Sequence, residues 1–384
     1  MIDFLNILFL VTAAIYAGFI VYFFAGLKKL ENDPHTDSHK SPGFSVIIAA
    51  RNEEAHIEKT VLSLGSQNYP KSSYEIIVVN DRSTDKTAEI LEKLSIRIEN
   101  LRVLTVDRVP DGISPKKHAL RLAVKYSQFD WIITTDADCL LMSDFLKSYS
   151  SLVTDNLGVA SGLTLFHLDQ YRNGFEERWQ KMQNIEFISE QLVSAGAIGH
   201  NVGFSANGAN LMFRKGLYHR REEDSLKSNV VSGDDFFLIQ TAHRLGYQLK
   251  FNFHPASVVK TLPVRTLREL INQRARWGSK VGMASRPVLM FSINTFVYYL
   301  ALSIYGALMF FIPRLVPVFL VLLGVKLISD TIYLIHGYKK LNLKLSPTSY
   351  VLMAILHAPF IVFCVLVGNL FGFSWKGERY KSAS

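Results

Sequence analysis

Four long apolar stretches bracket one mixed region, and that layout limits what this chain can fold into. The first runs from Phe4 to Ala25, with Asn6 and Thr12 as its clearly polar breaks. The other three follow Pro287, at Val288–Ile312, Leu315–Ile335 and Tyr350–Phe373. About 20 apolar residues of helix suffice to cross a bilayer, and each stretch has that reach. The stretches also account for the composition. Hydrophobic residues make up 49% of the chain and mean hydropathy is +0.16, where a soluble enzyme of this size usually falls below zero. Tyr22, Phe23 and Phe24 fill the end of the first stretch, and Lys28 and Lys29 follow it. A cleaved leader carries its charge before a shorter apolar core and small residues after it, so residues 1–27 are expected to stay as a membrane anchor.

The net charge of +9 fits a nucleic acid, an anionic membrane surface or a phosphate-rich substrate. The basic residues are spread along the chain and no recognition module appears, so no nucleic-acid partner is expected. Cys139 and Cys364 are far apart in unlike contexts, which gives neither a disulfide framework nor a zinc pattern and fits a reducing compartment. The basic segments 28–40 and 336–346 are expected to face the cytoplasm. The region between the spans then lies in the cytoplasm too, and the compact form fits a bacterial inner membrane. Four complete crossings would leave the basic tail Trp375–Lys381 outside, against the charge rule. Either one segment is re-entrant, or Tyr350–Phe373 does not cross fully. The expected division is an anchor at 1–27, a polar, turn-rich linker at 28–43, a catalytic region at 44–260, an interfacial segment at 261–286, a membrane region of about three spans at 287–373 and a tail at 374–384.

Between the spans, short apolar runs alternate with helical patterns. Strands are expected at 44–50, 74–81, 101–106 and 131–138, and helices at 53–67, 84–95 and 116–127. This order predicts an α/β fold, with an open, mainly parallel sheet covered by helices on both faces. Ligands of such sheets bind beyond the carboxyl ends of the strands. Arg51-Asn52-Glu53, Asp81 and Asp136-Ala137-Asp138 all fall there. Further amphipathic helices are expected at 175–191 and 261–276.

Asp136 and Asp138 have the chemistry to hold a hard divalent cation that bridges phosphates, or they are two acids of a solvated turn. Asp81 offers acceptors to a nucleobase or ribose, or serves as a helix N-cap beside Ser83 and Thr84. Asp85 reads as a plain capping or first-turn acid. Gly233-Asp234-Asp235 opens a helical stretch, where a carboxylate acts as a general base or complements the helix dipole. Gln273-Arg274-Ala275-Arg276-Trp277 precedes the membrane spans. There Arg276 suits a diphosphate, and Trp277 suits a sugar ring or the membrane interface. Lys116 is either a phosphate contact or a solvated lysine at a helix start.

Together these segments resemble glycosyltransferase family two over about residues 44–280. The resemblance implies the GT-A fold, a Rossmann-like nucleotide-sugar-binding domain, here joined to transmembrane helices. The opening SVIIAARNEE resembles the family's first strand and nucleotide-binding turn, which brings in Ala49, Arg51, Asn52 and Glu53. VVNDRSTDKT resembles the Asp-Asp-x-Ser motif, with Asn80 at the first acidic place and Asp81 at the base-facing one. PKKHAL resembles Gly-Lys-x-x-Ala-Leu, with Pro115 at the glycine and Lys116 at the lysine. Asp136 and Asp138 match the metal-binding DxD. SGDDFFL resembles the Glu-Asp motif, with Asp234 at the glutamate and Asp235 at the base. Gln273, Arg276 and Trp277 complete Gln-x-x-Arg-Trp.

The resemblance implies an inverting displacement. Asp235 takes the acceptor proton, Asp138 holds Mg²⁺ or Mn²⁺, and Lys116 and Arg276 offset the charge of the departing diphosphate. The donor implied is a nucleotide sugar, with UDP the expected nucleotide and GDP the alternative. The membrane portion is small for a secretion channel, so a lipid or lipid-linked acceptor is expected, with a glycan-polymerising synthase as the alternative. The acceptor is expected near Asn207–Asn210. Two readings from other classes weigh less. A catalytically silent scaffold would fit Asn80 and Asp234 but not the intact Asp81, Asp138, Asp235 and Arg276. A transporter would need more than the two conspicuous intramembrane charges, Lys326 and Asp330, which at four residues' spacing can pair on one helix face and are suited to line an acceptor or lipid entrance.

Overall fold

The structure is a computed structural model that describes residues 2–31, 41–168, 173–218, 233–375 and 378–380. Most of the expected linker and the last residues of the tail lie outside them. The chain forms two compact units. One comprises Lys29–His167 and Ile198–Leu262, and the other Met1–Lys28, Leu168–Ala197 and Pro263–Ser384. The stretch 168–197, expected from sequence within the catalytic region, is grouped with the apolar helices.

The first of these units is built on a sheet. Its strands are β1 Phe44–Ala50, β2 Tyr74–Asp81, β3 Leu101–Val106, β4 Trp131–Thr134, β5 Leu157–Gly162, β7 Leu211–Arg214 and β8 Gln248–Asn252, in the order β3-β2-β1-β4-β7-β5-β8. A short pair, β6 Thr164–Phe166 with β9 Val259–Thr261, lies apart from it. The sheet is mainly parallel, with β7 antiparallel to both neighbours. Val46, Ile48, Ala50, Ile76, Val78 and Ile133 join one core with Ile57, Val61 and Leu64 of the helix Ile57–Gly65. Alternate residues Ile47, Ile77, Val79 and Ile132 are buried as well. Burial of both sets is what strands read as continuous Val/Ile runs require. At the start of the sheet, Ser45 Oγ donates to Glu75 Oε1 at 2.6 Å, and the same oxygen accepts the Gln128 N–H.

The register pairs Ala50 with Asn80 and Ile47 with Thr134. The loops after β1, β2 and β4 therefore leave one edge of the sheet. β4 is shorter than the strand expected at 131–138. It stops at Thr134, and Cys139 N–H closes a turn on Asp136 O. Asp136 and Asp138 thus sit on a turn beyond the strand, where acidic residues are better tolerated than in a ladder.

In the second unit, four helices among the described residues are long and apolar enough to cross a membrane: Asp3–Leu30, Arg286–Leu308, Pro313–Lys340 and Pro347–Leu370. Phe4, Met290, Leu320 and Ile355 are among the residues that turn apolar side chains outward. The first three run side by side. Tyr305 donates to Asn6, Tyr16 meets Tyr299, and Phe23 packs on Phe291. Gly306 faces Phe319, and Tyr298 donates to Leu322 O. Lys326 and Asp330 pair at 2.5 Å, and Tyr16 donates to the same carboxylate.

The last of the four behaves differently. Its Tyr350 meets Thr331, while at its other end a Cβ at Gly368 would lie 2.6 Å from Ala275 O. A hairpin follows, β10 Phe373–Trp375 with β11 Glu378–Tyr380, and Ser374 N–H donates to Asn272 Oδ1 at 2.8 Å. Asn272 belongs to the helix Leu267–Gly278. That helix starts six residues later than the sequence pattern suggested, because Thr266 and Glu269 form a capping box.

Candidate functional site

The loops after β1 and β2 hold each other. Asn52 and Arg82 both take left-handed backbone conformations, with φ of 55° and 53°, which few residues adopt without compensation. The compensation is a latch. Asn52 Oδ1 accepts Thr84 N–H at 2.8 Å, and Asn52 N–H donates to Ser83 Oγ. Glu53 N–H donates to Thr87 Oγ1, Glu54 N–H to Asp85 Oδ2, and Lys86 N–H to Glu54 Oε2. The side chain of Asn52, expected to meet the nucleotide, is therefore engaged in setting the loop. Asp85 is a capping acid and not a first-turn one: it stands two residues before the helix Thr87–Arg97, its Oδ1 accepts Thr87 N–H at 3.0 Å, and its Oδ2 ties the two loops together. Ala49 and Arg51 lie at the end of β1 and just past it. Asp81 is buried at the end of β2, and Arg82 Nε donates to it at 2.8 Å. Nothing in the sequence singles out Arg82 beyond its place next to Asp81.

Beyond β4, Asp136 accepts Lys116 Nζ at 2.6 Å. Lys116 reaches it from the first turn of Pro115–Tyr126, where Pro115 fits a position that needs no N–H. Asp138 Oδ2 accepts Thr261 Oγ1 at 3.1 Å, from the end of β9. Burial pushes the Asp138 carboxyl up, and the charges of Asp136 and Glu53 push the same way. The half-buried Asp138 carboxylate thus feels two further negative charges, and a cation bound there would offset them. Among the described residues no three acidic, His or Cys side chains form a ready-made cage. That suits Mg²⁺-type ions, which take one or two carboxylates and complete their shell with water and phosphate oxygens. The donor set fits such an ion.

Gly233, with φ of 94°, leads into the helix Asp234–Arg244. Asp235 stands in its first turn. Its Oδ1 accepts Phe236 N–H at 2.7 Å, and its Oδ2 accepts Gly208 N–H at 2.8 Å. A Cβ at residue 208 would come within 3.2 Å of Asp235 Oδ2, so glycine lets the backbone approach this closely. The loop carrying Gly208 is anchored by Asn210, which is fully buried. Asn210 accepts Tyr149 OH and donates to Leu163 O and Ser257 O. Asn210, expected near the acceptor, is a framework residue.

Gln273, Arg276 and Trp277 belong to the other unit, on Leu267–Gly278, and all three are half-buried. Trp277 stacks on Phe187 at 23° with centroids 6.0 Å apart, and Arg274 covers its ring at 4.3 Å. Arg274 is itself buried against Glu186.

Residues 42–279 match the family described as glycosyltransferase like family 2. A beta-monoglucosyldiacylglycerol synthase of Nostoc sp. is 29% identical over 245 residues, covering 62% of this chain and 48% of the relative. The chain thus spans about half the length of that relative. Glycosyltransferase AglE of Haloferax volcanii is 27% identical over 240 residues, 62% of this chain and 72% of its own. The poly-beta-1,6-N-acetyl-D-glucosamine synthase of Staphylococcus aureus is 25% identical over 258 residues, 65% of this chain and 57% of its own. Among solved structures, the mannosyltransferase PcManGT from Pyrobaculum calidifontis, in complex with GDP-Man and Mn²⁺, shares the fold at a TM-score of 0.60 and 16% identity. The match covers 95% of this chain and 99% of that one.

Proposed function

The chain belongs to glycosyltransferase family 2 and is a glycosyltransferase with a GT-A-like fold; from that premise we propose that it moves a sugar, with inversion, from a nucleotide-diphosphate donor to a lipid or lipid-linked acceptor at the cytoplasmic membrane face. One observation carries the lipid reading: the helix bearing Gln273, Arg276 and Trp277 belongs to the same unit as the four apolar helices. A relative named for a glucosyldiacylglycerol product, similar over 245 residues, supports the same reading.

Asp235 is the proposed base. Each of its oxygens accepts one N–H, which leaves lone pairs for an acceptor hydroxyl and fixes their direction. Asp81 is proposed to meet the base or ribose of the donor, with Ala49, Arg51 and Glu53 beside it and Asn52 holding the loop. UDP is the favoured nucleotide. Asp138, supported by Asp136, is proposed to hold Mg²⁺ or Mn²⁺, which when bound supplies a Lewis acid for the departing diphosphate. Lys116 and Arg276 are proposed to offset charge on that group, and Asp234 to support Asp235. The role of Arg276 comes from the motif.

The arrangement of the membrane unit supports three crossings. Asn272 precedes three apolar helices and Ser374 follows them, yet the two residues are hydrogen-bonded. An odd number of crossings between them would put them on opposite faces. Arg286–Leu308 and Val316–Lys340 are joined by the turn at Pro313–Leu315 and meet antiparallel where Gly306 faces Phe319 and Tyr298 donates to Leu322 O, so they are proposed to cross together. Pro347–Leu370 is then the helix that does not cross, and the basic tail returns to the cytoplasmic face, as charge favours.

The test is incubation of the purified chain with Mg²⁺ or Mn²⁺, labelled UDP- and GDP-sugars and membrane lipid. Label in a discrete extractable lipid supports the proposal. Label in high-mass, glycosidase-sensitive material would favour a polysaccharide synthase instead, and the similarity to the Staphylococcus aureus enzyme keeps that second reading in view.

A further inference from the structure

Arg274 stands at an unspecified place of Gln-x-x-Arg-Trp, yet its side chain is buried and held by several partners. It is 4% exposed. Its Nε and Nη2 donate to the two oxygens of Glu186 at 2.8 Å each, and its Nη1 donates to Gln273 Oε1. Its guanidinium lies over the Trp277 ring at 4.3 Å, and the same ring stacks on Phe187. Glu186 and Phe187 are neighbours on the helix Gly174–Ile198. Burial alone would raise the Glu186 carboxyl, but the Arg274 charge holds it below its ordinary range, so the pair is ionic. A buried ion pair is a poor device for stability alone, since two apolar side chains of similar volume usually do as well or better. Arg274 instead touches both outer members of the motif.

Helix geometry extends the effect to Arg276. Successive residues turn by about 100°, so Arg276 stands about 200° around the axis from Arg274. Fixing Arg274 against Gly174–Ile198 turns Arg276 to the other side of its helix. Trp277, three residues on, stays on Arg274's side.

We infer that the Arg274–Glu186 pair is a positioning device for the motif: it orders Gln273 and Trp277 and sets the direction of Arg276, with Trp277 serving as a packed wedge in place of a sugar platform. The inference rests on the proposed role of this segment in the transfer reaction.

The test uses the full chain in detergent, labelled with 5-fluorotryptophan, with the Trp277 resonance assigned through Trp277→Phe. Two variants are compared with wild type: the paired apolar replacement Glu186→Leu/Arg274→Met, and Arg274→Lys, which keeps the charge but loses the planar fork. Three readouts are taken: thermal unfolding, the Trp277 fluorine signal, and kcat and KM on whichever UDP- or GDP-sugar the wild-type enzyme uses. The paired variant should unfold at or above the wild-type temperature. Its Trp277 signal should shift or broaden, and kcat should fall about tenfold or more while donor KM stays within about threefold. Arg274→Lys should move the fluorine signal and kcat the same way. An unchanged Trp277 signal and kcat in both variants would overturn the inference and leave the pair a structural tie. If the paired variant unfolds early, Arg274→Lys decides by the same two readouts. A wild-type enzyme without donor turnover would sink the proposed function, and the fluorine spectra alone would then decide whether the pair orders Trp277.

Discussion

The carboxylate of Asp235 accepts the backbone N–H of Gly208 at 2.8 Å, across 27 residues of chain. This bond ties the loop at Gly208 to the start of the helix Asp234–Arg244 and aims the proposed base. It also makes residue 208 sensitive, because an added methyl would sit 3.2 Å from the carboxylate oxygen. Gly208→Ala should displace the carboxylate by a few tenths of an ångström. We expect kcat to fall roughly tenfold while the unfolding temperature and donor binding stay near wild type. Steady-state kinetics with thermal unfolding check this.

The latch between the loops after β1 and β2 gives a second prediction. Asn52→Ala removes the acceptor of Thr84 N–H and places a less tolerant residue at a φ of 55°. A loss of about 1–2 kcal/mol of stability is expected, with donor KM raised more than kcat is lowered. Denaturation and donor titration separate the two effects.

Side-chain accessibility tests the membrane arrangement. Ser374 is exposed, and Cys139 and Cys364 are buried. In sealed membrane vesicles, Ser374→Cys should react with an impermeant maleimide from the same face as Lys29→Cys. Reaction of the two from opposite faces would restore four crossings.

The Glu186–Arg274 pair predicts a pH dependence. Arg274 lowers the Glu186 carboxyl despite burial, so folding favours the ionised acid. The pair's contribution should be complete above the unfolded value of about 4.3 and be lost as pH falls through the lower folded value. Thermal unfolding of wild type and Glu186→Gln from pH 3 to 7 reads this directly: the gap between them should narrow only on the acid side.

Much of this was legible in the sequence. The strands β1, β2 and β4 read as apolar runs rich in Val or Ile and followed by polar residues, so the edge holding Arg51, Asp81 and the DxD pair follows from their order. Lys326 and Asp330 paired as their spacing implied. What was not legible depends on distant partners. β7, which is only four residues long, inserts antiparallel between β4 and β5, and nothing in its composition marks that place. Glu186 lies 88 residues from Arg274, and a single glutamate on a long helix gives no hint of it. The early end of β4 and the late start of Leu267–Gly278 reflect local hydrogen bonds, the turn at Asp136 and the Thr266–Glu269 box, that override apolar periodicity.

Asp235 is proposed to take the acceptor proton in transfer to lipid. The most direct measurement is thin-layer chromatography of extracted lipid after reaction with labelled nucleotide sugar, comparing wild type with Asp235→Asn while donor binding is followed in parallel. A discrete labelled lipid is expected with wild type, with a loss of at least about 100-fold in its rate in the variant and donor affinity within about threefold of wild type. A variant that forms the labelled lipid at near the wild-type rate would contradict that role.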